Sequence, residues 1–403
     1  MSKDIKYITF IPLIGGMVIA NAQATGKKPE FVLSYEPFQK NEAHLKNYWP
    51  DVEWYLLDGE TNTLDEELDY SDIDFVSSVC PCAGLSTMNM NHSADSETNN
   101  WLYKSAEYIL GTIKPKVYFG ENAPGLYSEI NEKVANRLYE YGRQYGYSFT
   151  IYKTDTRLHG IPQRRVRTFF FFWKGDNCPI MEYYNRPVLP FEEFILDKNV
   201  GSHNEISNSN PEDFGAFKWI YETICDNDYS KFVQFMYDCS DTGKRIMSPY
   251  DYIVHFNKWD EYINWLKTSG IGAQKVTAKG RSTHLSVAEH RRYKVENNMN
   301  YYSIEPMVFK GFTSAITGKT IDVTLHPKEK RYLTTREIMS LMGLPNDFEL
   351  VTNNIVHITQ NVPVCTAKDM TEQVIKFING ELELTEHTFL KQSNLKQTID
   401  YEG

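Results

Sequence analysis

The chain has 403 residues, 41% of them hydrophobic and 24% charged. That balance excludes intrinsic disorder, which needs few apolar residues and a high net charge. Its formal net charge of −11 excludes a polybasic nucleic-acid coat but leaves room for a locally basic face.

Length suits two or three domains of roughly 150 residues each. No apolar run reaches the roughly 18–20 residues of a membrane helix. The six cysteines (Cys80, Cys82, Cys178, Cys225, Cys239 and Cys365) are scattered. Cys80 and Cys82 form a C-x-C with no second pair nearby, which suggests neither a zinc site nor a disulfide framework. Free thiols in a reducing compartment are expected.

At the start, Lys3 and Lys6 precede an apolar stretch over 7–20, and Ala22-Gln23-Ala24 outlines a small-residue cleavage site. That is the pattern of a secretory signal peptide. The competing reading is a buried strand over 5–11, a tight turn at Gly15-Gly16 and a helix over 17–25. Thiol chemistry further along favours the strand.

Strand-like runs follow at 31–35, 54–57, 73–79, 117–120 and 166–173, with helix-period segments at 37–48, 99–113 and 128–145. Strands alternating with helices imply βαβ units and a mostly parallel sheet. Such sheets bind ligands at the carboxyl ends of their strands. From about 175 to 324 the sequence is irregular, aromatic and loop-rich, and no topology is legible there. Regular structure returns at Thr334-Thr335-Arg336-Glu337, a T-x-x-E capping box ahead of Ile338, Leu341 and Met342. A last helix spans 366–378 and closes at Asn379-Gly380. These readings give an α/β domain over 1–175, an inserted domain over 176–325, a return over 326–380 and a loosely held polar tail over 381–403.

The strand ends carry the informative residues. After the 73–79 strand comes Cys80-Pro81-Cys82-Ala83-Gly84-Leu85-Ser86. A cysteine at such a turn near a helix start can favour its thiolate, although buried structural cysteines are commoner. After the 117–120 strand comes Glu121-Asn122-Ala123-Pro124, either a functional carboxylate or a solvated helix cap. Gln163-Arg164-Arg165-Val166-Arg167 then enters an apolar strand, where alternation puts Gln163, Arg165 and Arg167 on one face. That face suits anion or base-edge contact; its bland alternative is a solvated basic edge.

With this ordered set the chain resembles the DNA (cytosine-5)-methyltransferase family. Pro81-Cys82-Ala83-Gly84-Leu85-Ser86 matches the family's P-C-x-x-x-S, Glu121-Asn122 its E-N pair, and Gln163 to Arg167 its Q-x-R-x-R. His326-Pro327, Arg331, Leu333-Thr334, Arg336-Glu337, Met342-Gly343 and Pro345 resemble its late motif. Order and spacing agree from about residue 7 to residue 378. The resemblance implies an α/β, Rossmann-like S-adenosylmethionine-dependent methyltransferase domain with an inserted smaller target-recognition domain.

It also implies roles. The family's F-x-G-x-G-G cofactor turn reads Ile11-Pro12-Leu13-Ile14-Gly15-Gly16 here, without the aromatic and the first glycine. Glu36, followed by Pro37, fits the acid on the ribose hydroxyls, and Asp58 the acid at the adenine amino group. Pro81 and Leu102 would pack near the cofactor. The closing G-N-x-V-P is Thr359-Gln360-Asn361-Val362-Pro363, which leaves open whether Gln360 or Asn361 contacts the cofactor, with Val362 beside them. Cys82 would be the nucleophile and Glu121 the acid at ring N3. Arg165 would hold the base carbonyl, and Arg167 would support the loop or a phosphate.

S-adenosylmethionine would be the cofactor and S-adenosylhomocysteine the product, with no metal. Double-stranded DNA would be the partner, touched by Ser86 and Gln163. Between Lys267 and Lys294 stand seven basic residues against one acid. Of these, Lys275, Lys279, Arg281, Arg291 and Arg292 are the candidate phosphate contacts; a solvated loop is the alternative. A monomer with no membrane segment, in the cytoplasm of a bacterial or phage-infected cell, completes the expectation. Two other readings stand beside it. One is a tRNA cytosine methyltransferase of related fold, against which the long insert argues. The other is a degenerate member that binds DNA without S-adenosylmethionine, a difference calorimetry detects.

Overall fold

The structure, a computed structural model, describes residues 4–80, 85, 96–207, 209–242, 248–276, 282–300, 305–318, 320–352 and 355–402. The chain divides into two compact units, one made of residues 1–189 with 339–403 and the other of residues 190–338.

The first unit is built on a nine-stranded sheet. Its strands are β1 (Tyr7–Phe10), β2 (Val32–Tyr35), β3 (Trp54–Leu57), β4 (Phe75–Val79), β5 (Val117–Asn122), β6 (Tyr147–Asp155), β7 (Val166–Lys174), β8 (Phe389–Ser393) and β9 (Thr398–Glu402). They lie in the order β9-β8-β6-β7-β5-β4-β1-β2-β3. The five strands from β3 to β5 are parallel. Strand β7 runs antiparallel to both β5 and β6. Every residue of β1, β2, β4 and β5 is buried, as a parallel sheet covered on both faces requires. The stretch that outlines a secretory leader forms central strand β1 and helix α1 (Gly16–Thr25). Helices α2 (Gln39–Tyr48), α3 (Asn100–Tyr108) and α4 (Glu132–Gln144) follow, and α4 buries Val134, Ala135, Leu138 and Gly142 along one stripe.

The second unit is helical where the sequence shows only irregularity. It contains α5 (Gly215–Thr223), α6 (Tyr229–Ser240), α7 (Pro249–His255), α8 (Trp259–Thr268) and α9 (His284–Glu296). Aromatic residues knit the core: Phe217 lies 4.5 Å from Phe232 and Trp219 lies 5.4 Å from Tyr262, centroid to centroid. The 3.6-residue period is present, α8 burying Trp259, Tyr262, Ile263 and Leu266 and α6 burying Phe232, Val233, Met236 and Cys239 on one stripe each, but apolar spacing does not mark where a helix begins. Local caps set their starts instead. Ser248 with Asp251, and Thr283 with Ser286, form reciprocal capping boxes at α7 and α9.

The return begins with α10 (Thr335–Ser340). The T-x-x-E reading holds there: Glu337 N–H donates to Thr334 Oγ1 at 3.2 Å, and Thr334 N–H donates to Glu337 Oε2 at 2.8 Å. Then come α11 (Val356–Thr359) and α12 (Val364–Ile378), which packs on α1. Thr371 donates to Asn21 Oδ1 at 2.8 Å, and Asn21 Nδ2 donates to Ser77 Oγ at 2.6 Å, so α12, α1 and β4 share one buried polar chain.

Two expectations need correction. The 381–403 segment is no loose tail: β8 pairs with β6 and all five of its residues are buried. Its polar side chains have partners, since Gln392 exchanges hydrogen bonds with the Met181 backbone and Asn394 binds Tyr184 N–H and Thr154. The second unit also starts at residue 190, not 176, and ends at 338, not 325. Backbone bonds between Cys178 and the 385–387 segment, with Arg186 on Asp369, keep 176–189 in the first unit.

Candidate active site and cofactor cleft

Strand register builds the active site. Val79, at the end of β4, stands opposite Glu121 near the end of β5, and Phe169 of β7 flanks Glu121 on its other side. Arg167, two residues before Phe169, brings Nε to 2.7 Å from Glu121 Oε1. Glu121 is 5% exposed. Burial raises its carboxyl above the ordinary value, opposed by the charges of Arg167 and then Arg165. The result is an acid that holds its proton more readily than a surface glutamate, with a cation in contact.

Arg165 is 2% exposed. Its Nη2 donates to the carbonyls of Thr359 at 2.6 Å and Asn361 at 3.2 Å. These bonds let the guanidinium brace the closing motif, while its charge also acts on Glu121. Gln163 is placed differently from its expectation as a DNA contact. It is wholly buried, donating to Leu341 O at 2.7 Å and to Met342 Sδ, so it does not reach an outside partner such as DNA.

Cys80 is buried, donates to Ser105 Oγ at 3.6 Å, and has its thiol pushed up by burial. It is a poor nucleophile. Pro81, Cys82 and Ser86 lie outside the described residues.

The cofactor cleft forms where β1 meets α1. Leu13, at the position of the missing glycine, has φ +51°, and Ile11 has φ +50°. The left-handed backbone of the turn is thus kept without the glycine that usually permits it. Gly16 N–H donates to Asn361 Oδ1 at 2.8 Å. A Cβ at Gly16 would stand 2.2 Å from both Asn361 Oδ1 and Val362 O, so no other residue fits. Asn361 is 2% exposed and its Nδ2 has no partner among the described residues. Gln360 instead pairs with Asn41 of α2. Of the two closing-motif candidates, Asn361 is the one at the glycine turn. Val362 and Leu102 are buried.

Glu36 and Pro37 are exposed at the end of β2, and Asp58 is exposed at the end of β3. Asp58 Oδ1 accepts from Glu60 N, Thr61 N and Thr61 Oγ1 at 2.8, 2.7 and 3.0 Å. Those bonds, the Thr61 backbone foremost, hold its carboxyl below the ordinary value. Two available carboxylates and one buried uncommitted amide donor fit a ligand bearing hydroxyl and amino groups. They are the donors and acceptors S-adenosylmethionine requires. Among the described residues no group of side chains could hold a metal ion.

Two positioning residues escape sequence reading. Val351 N–H donates to His44 Nδ1 at 3.1 Å, so the His44 proton sits on Nε2 and is donated to His357 Nδ1 at 2.9 Å. This bond ties α2 to α11, just before the closing motif. Its partners are 313 positions apart, and no local pattern announces it.

In the second unit, Lys275 is exposed and joined to Thr283 by an antiparallel bridge. Lys279 and Arg281 lie outside the described residues. Arg292 is a surface residue paired with Asp260 at 2.6 Å and Glu296 at 2.7 Å. Arg291 is corrected as a phosphate contact. Its Nη1 meets Glu305 at 2.6 Å, with both side chains largely buried, and its guanidinium lies 4.2 Å from the Tyr250 ring centre.

The family model for the C-5 cytosine-specific DNA methylase matches residues 9–376. The chain is 23% identical over 200 residues to the Type II methyltransferase M.MspI of Moraxella sp, covering 50% of this chain and 44% of that one. It is 23% identical over 226 residues to the Type II methyltransferase M.BanI of Aneurinibacillus aneurinilyticus, covering 55% and 47%. The chain thus spans about half the length of these relatives. A solved structure assigned as a DNA modification methyltransferase encoded within an E. coli prophage superposes with TM-score 0.54 at 15% identity, covering 93% of this chain and 99% of that one. That likeness carries the fold. The match along most of its length establishes that the chain belongs to the C-5 cytosine-specific DNA methylase family.

Proposed function

We propose that the protein transfers a methyl group from S-adenosylmethionine to carbon-5 of a cytosine flipped out of double-stranded DNA. The buried Glu121–Arg167 pair carries this reading, because a proton-holding carboxyl beside a guanidinium matches the donor and acceptor edge of cytosine. Cys82, three residues after Val79 in sequence, would add as thiolate to carbon-6. The ring electrons move toward carbon-5 as Glu121 supplies a proton at N3. Arg167 would hold the carbonyl oxygen. When bound, the cofactor supplies the methyl group as an electrophile and leaves as S-adenosylhomocysteine. A base then takes the carbon-5 proton, the electron pair expels the Cys82 thiolate, and the N3 proton returns to Glu121, which restores the ring and the acid.

The base cannot react inside a stacked duplex, which is why flipping is part of the proposal. Glu36, Asp58, Gly16 and Asn361 would hold the cofactor, with Arg165 and the His44–His357 bond keeping the closing motif in place. Lys275, Lys279, Arg281 and Arg292 would meet DNA phosphates, Ser86 would touch the target strand, and the second unit would recognise the sequence. Bisulfite sequencing of plasmid DNA from cells expressing the chain tests the activity. Protected cytosines at a recurring sequence are expected, and none in the Cys82→Ala strain. Complete conversion in the wild-type strain would refute the DNA reading.

A further inference from the structure

The ends of β2 and β3 carry two acids, but the turn after β1 has no flat surface to offer an adenine ring. Ile11 stands where the family has an aromatic residue. The aromatic surface of this chain lies elsewhere. Trp101, in the first turn of α3, is half-buried, and its ring centre is 4.8 Å from that of Tyr35 and 5.3 Å from that of Phe38. Those two rings bracket Glu36 and Pro37. On its other side the indole meets the β3 end: a Cβ at Gly59 would stand 3.3 Å from Trp101 Cη2. The indole therefore spans the gap between the two strand ends whose carboxylates stand open.

The wall is also held in place. Lys104 Nζ lies 5.6 Å from the Trp101 ring centre and donates to Gly59 O. Asn62 accepts the Tyr35 hydroxyl at 2.6 Å and donates to Lys104 O at 3.1 Å, clamping the loop after β3 to β2 and α3. A flat, rigid aromatic surface between two acceptor carboxylates is the recognition chemistry of a purine nucleoside, stacked on its face and bonded at its ribose and amino group.

We propose that Trp101 is the stacking face of the adenine subsite. The proposal rests on the cofactor reading above and adds a residue to it.

The test is calorimetric titration of S-adenosylhomocysteine into the full chain, with tryptophan fluorescence followed in parallel. Trp101→Leu should weaken binding by about ten- to a hundredfold, the range of one base–aromatic stack. Trp101→Phe should stay within a few-fold of wild type. Wild-type fluorescence should change on titration, and Trp101→Phe should lose that change. This signal decides the matter even if the leucine variant folds poorly. Wild-type affinity in the leucine variant, or an unaltered fluorescence response in the phenylalanine variant, would overturn Trp101 while leaving the cofactor assignment standing. No binding by the wild-type chain would overturn the cofactor assignment, and the Trp101 proposal with it.

Discussion

Arg167 Nε stands 2.7 Å from Oε1 of Glu121, and the carboxylate is almost fully removed from water. Burial and the neighbouring cation act on its proton in opposite directions, and burial is the larger influence. Glu121→Gln keeps the shape and one acceptor but cannot give a proton. Turnover should fall by about a hundredfold or more, while melting temperature falls only modestly because the amide oxygen still accepts from Arg167. Methyl-transfer assays beside thermal melts check the split. A variant that melts early and retains its turnover would make the pair structural.

Cys80 and Cys82 flank one proline, and Cys80 is sealed in the core beside Ser78 and Ser105. Cys80→Ala should leave most activity. Cys82→Ala should abolish both turnover and the denaturation-resistant adduct with 5-fluorocytosine DNA. Adduct formed by the Cys82→Ala protein would require another nucleophile.

Leu13 offers a comparison of two truncations. Both Leu13→Ala and Leu13→Gly lose the buried side chain, but alanine keeps a Cβ in a left-handed backbone that disfavours it. Glycine usually destabilises relative to alanine. Here the order should invert, with Leu13→Gly the more stable by about 1 kcal/mol. Denaturant melts of the pair measure this directly, and alanine proving the better residue would show that the turn relaxes.

How far the sequence could be read depends on where each signal lies. Strands β1 to β5 are runs of apolar residues with an acid or a turn at each end, so Glu36, Asp58 and Glu121 could be placed by counting. Strand β6 does not read as an apolar run because Ser148 and Thr150 interrupt it, yet both are buried, and Thr150 accepts the Trp173 indole N–H at 3.0 Å. Strand β8 hid for a similar reason, its Gln392 satisfied by a distant backbone. Gln163, Arg165 and Arg291 were legible as residues but not as orientations. Their partners, Leu341, Asn361 and Glu305, are set by tertiary packing.

Glu42 is buried on α2, accepting the Ser34 hydroxyl on Oε1 while Oε2 has no partner among the described residues. Burial pushes its carboxyl up to about 7, against the lowering effects of Ser34 and Lys46. The folded chain therefore keeps a proton that the unfolded chain has released. Stability from this group is complete below its ordinary value of 4.5 and is lost as pH rises to about 7. The loss above that is on the order of 3 kcal/mol. Melting temperature should fall between about pH 5 and pH 8 in the wild type and fall less in Glu42→Gln. Equal slopes would assign the effect to another buried acid, Glu121 first.

The basic segment of the second unit now separates into residues with different duties. Arg291 is joined to Glu305 inside the unit and packs on Tyr250, so Arg291→Ala leaves a buried carboxylate without its cation. That should cost about 3–5 kcal/mol and lower the melting temperature before any effect on DNA can be measured. Arg292 is different. Its partners Asp260 and Glu296 are exposed, and surface pairs of this kind are easily exchanged for another anion. Lys275 is exposed and pairs with no acid among the described residues. Arg292→Ala and Lys275→Ala should leave melting unchanged. Each should weaken DNA binding on all sequences alike and flatten the log–log salt dependence by about 0.9 per lost phosphate contact. If one of them reads a base edge instead, target affinity should drop while nonspecific affinity stays. Binding isotherms at several salt concentrations, on target and scrambled duplexes, separate these cases. An unchanged slope in both variants would move the DNA-facing surface away from this segment.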